Sequence, residues 1–489
     1  MLKIFVTLAF IISFSVNAIT LKETIEMTLK KDSGISIKYQ EFNEHKGLYI
    51  QSNEQFDANL NINSSITDTT YPSSTYEGTE TLNPKTVQNS FFVSKQYENG
   101  FYVENGFLIK NRLHSNQEYT QSSVFFTVNK ALLKNSSEEI ITADKKNAQY
   151  NMQISDYMYK NQLNNSLYLS IEAYWELLYA SKKFELDRES KDETNEFMEN
   201  INELIKYDMK PKADLLQAKA SFNSKTISLL NSQSQLNDSK YNIGLFIGSD
   251  LEENQDMDLP IDEFPIPNTN DLKILEDTLF FKTKAIQNRE DLKILDINVQ
   301  KAQLGILIAK ESLKSDLNLN LDLNLNINET HTISQNDDDL NSNSARLSLE
   351  YKFPIKNSLA EGLRISNEAK LLKSKIELNE LKRKISYETN KLLDEMKLTI
   401  VNFKEVKTSI DDYNSALENE KIKYSMGFST ILNIIQTKDL LYFEKVKRLL
   451  ILKAYSLQLL KLYMLTSTMI DDSSTFYINT NKFYTVMRE

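Results

Sequence analysis

Residues 316–328 read DLNLNLDLNLNIN, and this run constrains the fold more than any other stretch of the chain. Every odd position is Leu or Ile, and every even position is Asp or Asn. Alternation is the period of a β-strand, whose successive side chains point to opposite faces. Because Asn and Asp disfavour strands, the pattern needs one wet face and one continuously apolar face. A membrane-spanning strand shows this alternation of apolar and polar residues over about 9–11 residues. Half-buried strands of soluble sandwiches alternate too, so both interpretations stay open on periodicity alone.

The start of the chain predicts export. It reads MLKIFVTLAFIISFSVNA, with a basic Lys3, an apolar stretch over 4–14 and a small-residue cleavage site that ends at Ala18. These are the parts of a secretory signal peptide, so we expect a mature chain that begins near Ile19. The sequence has no Cys, which excludes disulfides, thiol chemistry and a lipid anchor on Cys. No later segment reaches about 18 consecutive apolar residues, so we expect no spanning helix.

Composition and motifs give little support to catalysis or nucleic-acid binding. The net charge is −11, and the basic residues are scattered rather than clustered. The three histidines, His45, His114 and His331, lie far apart, and no zinc-protease, serine-hydrolase or P-loop motif occurs. The run 337–339 (DDD) has the chemistry to bind a divalent cation, but a solvated loop is the simpler interpretation. We therefore expect no enzyme, no cofactor and no metal site.

The two halves of the chain resemble each other. Residues 205–209 (IKYDM) recur as 422–426 (IKYSM), and 213–219 (ADLLQAK) match 432–438 (LNIIQTK). Two further matches, of 58–63 with 315–320 and of 122–128 with 344–350, follow the same order. A tandem duplication explains this order, with a longer loop between the strands of the first half. The predicted organisation is a signal peptide (1–18), a first repeat (19–248), an acidic proline-containing linker (249–270), a second repeat (271–470) and a short tail (471–489).

Each repeat predicts strands followed by a very long helix. Residues 357–426 contain no Pro and a single Gly, and apolar residues recur there at spacings of three and four. Helices of this length must pack side by side as coiled coils, because they cannot fold around one globular core. Trp175 lies at helical spacing, where core packing is a simpler interpretation than a ligand platform. The linker is expected to be solvated, outside the helices.

The strand pattern predicts about four strands per chain, with more if residues 101–109 also pair. Residues 329–343 and 64–121 are expected to form exterior hairpin tips. Four strands cannot close a barrel in lipid, where open edges are not tolerated and at least about eight strands are needed. Three copies of the chain would supply twelve, so the oligomer is expected to be part of the fold.

Taken together, these features resemble those of the TolC-like outer membrane efflux proteins, over essentially the whole mature chain. The resemblance rests on the segments 20–25 (TLKETI), 173–178 (AYWELL), 212–218 (KADLLQA), 289–292 (REDL) and 351–355 (YKFPI) in this order. It implies a mainly α fold in which long coiled-coil helices form an α-barrel that continues a trimeric, twelve-stranded β-barrel. It also implies a passive exit duct in the outer membrane of a Gram-negative bacterium, reaching into the periplasm and working with a periplasmic adaptor and an inner-membrane transporter.

The resemblance also implies roles for particular residues. The periplasmic entrance would be formed by Tyr207, Asp214, Tyr424, Ser429, Asn433 and Gln436. The turns where an adaptor docks would be Met209, Lys210 and Pro211 in the first repeat and Met426, Gly427 and Phe428 in the second. Lumen-facing positions of the barrel would be Asn318, Asn320, Asp322, Asn324, Arg346, Glu350 and Lys352. Lipid-facing positions would be Leu317, Leu319, Leu321, Leu323, Leu325, Leu347, Leu349, Tyr351 and Phe353.

Departures from the family pattern matter at the entrance. Gated relatives carry an Arg and two Asp where this chain has Ser429, Asn433 and Gln436, and Asp214 loses its expected ion-pair partner. An amide ring lacks the formal charge that concentrates cations, so we expect a less cation-selective entrance. The simpler alternative is that Asn433 and Gln436 are ordinary helix-surface amides.

The sequence is also consistent with a protein of a different class. A periplasmic or surface-anchored coiled-coil structural protein, with a small water-soluble head of strands, would share the signal peptide and the long helices. The continuous Leu face of residues 317–327 favours the channel, because a small head has little surface against which to bury it.

Overall fold

A computed structural model describes residues 19–75, 78–82, 85–114, 117–207, 211–249, 257–332, 335–471 and 477–487. The predicted signal peptide, residues 1–18, lies outside the described residues. The chain divides into two compact units. The helical unit comprises the described parts of 1–40, 157–293 and 379–489, and the sheet unit comprises those of 41–156 and 294–378.

The elements follow one another in nearly the same order in the two halves of the chain. The first half contains α1 (Leu21–Lys31), α2 (Ser33–Gln51), β1 (Asn59–Asp68), β2 (Tyr71–Thr75), β3 (Gly78–Leu82), β4 (Lys85–Gln96), β5 (Phe101–His114), β6 (Gln117–Ala131), α3 (Glu138–Ile141), α4 (Ala143–Lys206) and α5 (Lys212–Ile247). The second half contains α6 (Asp271–Ile274), α7 (Thr278–Asn288), α8 (Glu290–Ser312), β7 (Asp316–Thr332), β8 (Gln335–Lys352), α9 (Ser358–Ser425) and α10 (Ile431–Leu465).

The predicted long helices are confirmed. Helix α4 has 64 residues without Gly or Pro, and α9 has 68 residues with Gly362 as its one glycine. Each is followed by a shorter helix, α5 with 36 residues and α10 with 35. Uninterrupted backbone hydrogen bonding explains these lengths, since Gly and Pro are the residues that weaken or break a helix interior.

The core of the helical unit is built around Trp175, as the sequence predicts. Trp175 and Tyr174 are fully buried in α4, and the Trp175 ring packs against Phe264 and Tyr484 at centroid distances of 5.7 and 5.6 Å. Phe264 belongs to the segment that was expected to be a solvated linker. Its burial, together with that of Met257, shows that the described part of this segment packs into the core. The C-terminal tail also packs into this core, through Phe483, which is 1% exposed.

The sheet unit has more strands than the four that were expected, and residues 101–109, which the sequence left open as a further strand, do pair within β5. Its main sheet has six antiparallel strands in the order β1-β4-β5-β6-β7-β8, and β2 and β3 form a separate hairpin. Strands β4 and β5 occupy the stretch that was expected to be an exterior loop. β4 mixes apolar residues with Asn, Ser and Lys, and β5 mixes them with Glu, Asn and Lys, so neither strand shows the strict alternation of β7.

The second expected loop is also mostly strand. β7 continues to Thr332 and β8 begins at Gln335, so residues 329–343 lie at the end of a hairpin, as expected, but their described backbone pairs as strand rather than forming a loop. The acidic run 337–339 lies within β8. Among the described residues, no three or more His, Asp or Glu side chains are arranged to hold a metal ion. The described helices include none that combines the length and the apolar character needed to cross a membrane.

Candidate functional site

One face of the six-stranded sheet is apolar across every strand. Cross-strand pairing places the predicted lipid-facing residues of β7 opposite those of β8, as Leu317 with Tyr351, Leu319 with Leu349 and Leu321 with Leu347. Leu323 and Leu325 lie on the same face, and Phe353 follows the end of β8 with 65% of its surface exposed. The other strands continue this face with Leu60, Ile62, Phe91, Val93, Phe107, Val124 and Phe126.

The opposite face is mostly polar, apart from Phe92 and Phe125, whose ring centroids lie 6.0 Å apart, and many of its polar side chains bond to one another. The Thr127 hydroxyl donates to Asp322 at 3.0 Å, the Ser123 hydroxyl donates to Asn326 at 2.6 Å, and the Asn129 amide donates to Asn320. The strand register adds pairs of opposite or complementary character, namely Asp322 with Arg346, Asn318 with Glu350, Asn324 with Ser344 and Asp316 with Lys352. The structure therefore brings all the predicted lumen-facing residues together on one surface.

The first helix turn, between α4 and α5, is described only at its two ends. Tyr207 ends the described part of the turn on the α4 side and is 76% exposed. Met209 and Lys210 lie outside the described residues. Pro211 takes an extended conformation as the N-cap residue of α5. Its missing N–H and fixed φ suit a position where the helix has not yet begun to bond.

The second turn, between α9 and α10, is a glycine-capped helix end. Gly427 has a φ of +82°, its N–H donates to the carbonyl of Tyr424 at 3.1 Å, and the N–H of Phe428 donates to the carbonyl of Lys423 at 2.8 Å. This pair of bonds is the Schellman motif, which needs a left-handed residue after the helix. Met426 and Phe428, 64% and 81% exposed, flank the glycine and present two large apolar side chains at the tip.

Four of the six predicted entrance residues lie in two small groups within the helical unit. Burial, and then the nearby charge of the Asp214 carboxylate, raise the pKa of Tyr424 above its ordinary value. Asp214 of α5 therefore lies close enough to Tyr424 of α9 for its charge to act on the phenol. In the second group, the Ser429 hydroxyl donates to Glu420 at 2.6 Å and accepts from the Asn433 amide at 3.2 Å. Gln436 lies exposed on α10, one turn from Asn433.

Glu420 is a carboxylate of this region that the sequence did not single out. Lys423 bonds to it at 2.7 Å, and hydrogen bonds from Lys423 and then Ser429 hold its pKa below the ordinary value. It remains ionised near the turn, but the lysine offsets its charge. No motif marks Glu420, because the spacing to Lys423 is that of any i, i+3 helix pair.

A polar cluster between α4, α5 and α10, centred on the buried Asp187, was also not predicted from the sequence. Asp187, 1% exposed, accepts from Lys183 at 2.5 Å and from the Tyr442 phenol at 2.5 Å. Lys225 lies 4.1 Å from the centre of the Tyr442 ring and pairs with Asp439 at 2.7 Å. Charges on a long helix normally indicate a solvated face, so only the packing of three helices reveals that Asp187 is buried.

This combination of a two-faced antiparallel sheet, very long helices and paired helix turns is the fold of TolC-like outer membrane channels. A membrane protein from Pseudomonas aeruginosa aligns with a TM-score of 0.66 at 12% identity, covering 91% of this chain and 90% of that one. The outer membrane protein VceC of Vibrio cholerae aligns at 0.65 and 14% identity, covering 91% and 96%. The CmeC outer membrane channel of Campylobacter jejuni aligns at 0.63 and 10%, covering 93% and 88%. No protein family model and no curated protein matches the sequence.

Proposed function

We propose that this protein is a channel of the Gram-negative outer membrane, the exit duct of a tripartite efflux or type I secretion system. The observation that carries the proposal is the sheet with one apolar face and one hydrogen-bonded polar face. Large apolar side chains are widely exposed on that face, including Leu347 at 70%, Ile62 at 62% and Phe107 at 60%. Contiguous apolar surface of this kind marks a contact with lipid or with another protein.

The dimensions of the apolar face suit a bilayer. On β7 the apolar positions extend from Leu317 to Ile327, which is about 33 Å along a strand at 3.3 Å per residue. Strands of membrane barrels tilt by about 40°, which reduces this run to a band about 25 Å tall. We assign the Leu face of β7 and β8 to lipid and the Asn, Asp, Arg, Glu and Lys positions opposite it to a water-filled lumen.

Closure requires more than one copy of the chain. Within the described residues β1 pairs with β4 alone and β8 pairs with β7 alone, so the sheet has two edges. Unpaired backbone groups are not tolerated in lipid. A homotrimer in which each edge meets the edge of the next copy satisfies these groups, and the lumen then lies inside the ring.

The two helix turns are the proposed periplasmic entrance. We assign the exposed Met426 and Phe428 to contact with an adaptor protein, with Gly427 holding the turn that presents them. Tyr207 and Pro211 occupy the corresponding turn of the first repeat. In this proposal the duct itself is passive, and the inner-membrane transporter that the adaptor connects to it supplies the energy.

The decisive experiment is the mass and location of the native particle. The full chain is expressed in a Gram-negative host, membranes are fractionated, and the detergent extract is measured by light scattering corrected for bound detergent. We expect three mature chains per particle in the outer-membrane fraction, and discrete conductance steps in planar bilayers. A monomer or dimer in the soluble periplasm would contradict the channel and favour the coiled-coil structural protein, with the apolar face as a protein contact.

A further inference from the structure

The hairpin of β4 and β5 widens the sheet of each chain from four strands to six. We propose that a second copy of this chain pairs its β1 with β8, so that three copies close a wall of eighteen strands. This inference rests on the proposed function, and it differs from that function in the number of strands and in the width of the exit. Barrel diameter grows roughly linearly with strand number, so this wall is about one and a half times as wide as one of twelve strands with the same tilt.

The hairpin is part of the sheet and carries both of its faces. Phe91 of β4 pairs with Phe107 of β5, which pairs with Val124 of β6, so the apolar face passes through the hairpin without a break. Gly106 of β5 shows how closely the strands pack. A Cβ atom at Gly106 would lie 2.3 Å from the carbonyl oxygen of Phe91 and 2.4 Å from the Cβ of Phe92.

Strand direction allows copies to join at these edges. Neighbours in the sheet are antiparallel throughout, and an even number of strands makes β1 and β8 antiparallel to each other. When the β8 of one copy lies beside the β1 of a second copy, the antiparallel pattern therefore continues. Every copy then offers one edge of each kind, which is the condition for a closed ring with a repeated interface.

The apolar face is inclined across the strands, as a tilted barrel requires. The apolar stretch of β1 extends from Leu60 to Ile66. The cross-strand pairs connect this stretch, strand by strand, with residues 345 to 339 of β8. The apolar residues of β8 are instead Leu347, Leu349 and Tyr351. Their centre is displaced by about seven residues, which is about 24 Å along the strands over five strand spacings of about 4.8 Å.

This displacement corresponds to a strand tilt of about 45°, at the upper end of the range of about 35–45° for membrane barrels. The lipid band has the same height on every strand. Its apolar residues therefore shift along the cross-strand register from one strand to the next only when the strands are tilted relative to the membrane normal. The same geometry sets the interface between copies. A level band places residues 347–351 of β8 beside residues 60–66 of the second copy.

The test uses spin labels on single introduced cysteines, which is clean because the native sequence has none. Labels are placed at Phe107→Cys on the apolar face of β5 and at Lys110→Cys on its polar face. Leu323→Cys and Asn324→Cys on β7 are the matched reference pair. The full-length protein is reconstituted in phosphatidylethanolamine–phosphatidylglycerol vesicles, and collisions with oxygen and with a water-soluble nickel chelate are measured.

We expect label 107 to match label 323 in high oxygen and low nickel accessibility, and label 110 to match label 324. If label 107 is as water-accessible as label 110 while label 323 stays in lipid, the hairpin lies outside the wall and the eighteen-strand inference fails. The channel itself would then still stand. If labels 107 and 323 are both in water, the inference and the proposed channel fail together.

A second measurement tests the interface between copies. Double variants pair Asn61→Cys or Asn63→Cys of β1 with Ser348→Cys or Glu350→Cys of β8. We expect at least one combination to form disulfide-linked dimers and trimers in membranes, and a variant with one cysteine alone to form no linked trimer. Absence of linked species from all four combinations would overturn the pairing of β1 with β8.

Discussion

Gly427 determines the geometry of the second helix turn at the level of one residue. Its φ of +82° lies in the left-handed region, and its N–H and that of Phe428 close the end of α9. A side chain with a Cβ is strained there, whereas glycine is not. The exposed tip formed by Met426 and Phe428 depends on this conformation.

We therefore expect Gly427→Ala to lower the free energy of unfolding by about 1 kcal/mol. Gly362→Ala is the matched control, because Gly362 lies in helix α9 and an added Cβ there meets nothing within 4 Å. It should raise stability by about 0.5–1 kcal/mol through helix propensity. Urea unfolding followed by far-ultraviolet circular dichroism measures both. Shifts in the same direction would contradict the strain at residue 427.

Asp187 is the residue whose burial has the largest expected energetic consequence. Its carboxylate is held by Lys183 and by the Tyr442 phenol, and burial, followed by this hydrogen bond, raises the pKa of Tyr442. Removing the carboxylate leaves a lysine that is 15% exposed without its counter-charge. An uncompensated charge in such a place costs far more than a lost surface pair.

Asp187→Ala should lower the free energy of unfolding by about 3–5 kcal/mol, and Tyr442→Phe by about 1 kcal/mol. Asp192→Ala on the same helix is the control, since Asp192 is 63% exposed in its pair with Lys191 and should cost less than about 1 kcal/mol. The three variants are compared by denaturant titration. Equal losses for Asp187→Ala and Asp192→Ala would show that the cluster is solvated.

At the scale of elements, the two faces of β7 are the clearest feature of the molecule. Leu323 and Asn324 are adjacent in sequence, and cross-strand pairs place them on opposite faces, beside Phe126 and Phe125 of β6. If one face meets lipid and the other meets water, the same substitution must have very different effects at these two positions.

Leu323→Arg should destabilise the folded state in lipid by about 2–4 kcal/mol, because it places a charge near the middle of the apolar band. Asn324→Arg, one residue further along, should change it by less than about 1 kcal/mol. Both are measured by urea-dependent folding into lipid vesicles. A similar loss at both positions would argue against the assignment of the Leu face to lipid.

For the whole molecule, ion selectivity depends on what charge the entrance presents. Asn433 and Gln436 carry no charge, Glu420 is paired with Lys423, and Asp214 is the one carboxylate among the predicted entrance residues. Selectivity in pores follows rings of formal charge. The proposed trimer would multiply each of these groups by three, so uncharged amides at two positions weaken the preference for cations.

The wild-type channel should therefore show a weak cation preference, and the double variant Asn433→Asp, Gln436→Glu a strong one. The control exchanges the amides, as Asn433→Gln with Gln436→Asn, and should resemble the wild type. Reversal potentials in a KCl gradient across a planar bilayer measure the permeability ratio. A strong cation preference of the wild type that Asp214→Asn abolishes would contradict this view of the entrance.

The sequence alone determined the features that are recorded in local periodicity. The thirteen-residue alternation predicted β7 and its two faces, and the glycine- and proline-free stretches predicted α4 and α9. The duplicated segments also predicted the matching order of long and short helices. These predictions were correct because the strand period of two and the helix period of 3.6 can be recognised from residues that are close together in sequence.

The tertiary structure alone decided the pairing of β4 with β1 and β5, and the burial of Asp187. The sequence left the pairing of residues 101–109 open and did not predict β4. The apolar face of β4 is recognised only when the register places Phe91 beside Phe107, which in turn lies beside Val124. Asp187 looks like any helix-surface carboxylate until α10 packs Tyr442 against it. In each case the deciding contact joins residues that are far apart in sequence or belong to different elements, so no local pattern could contain it.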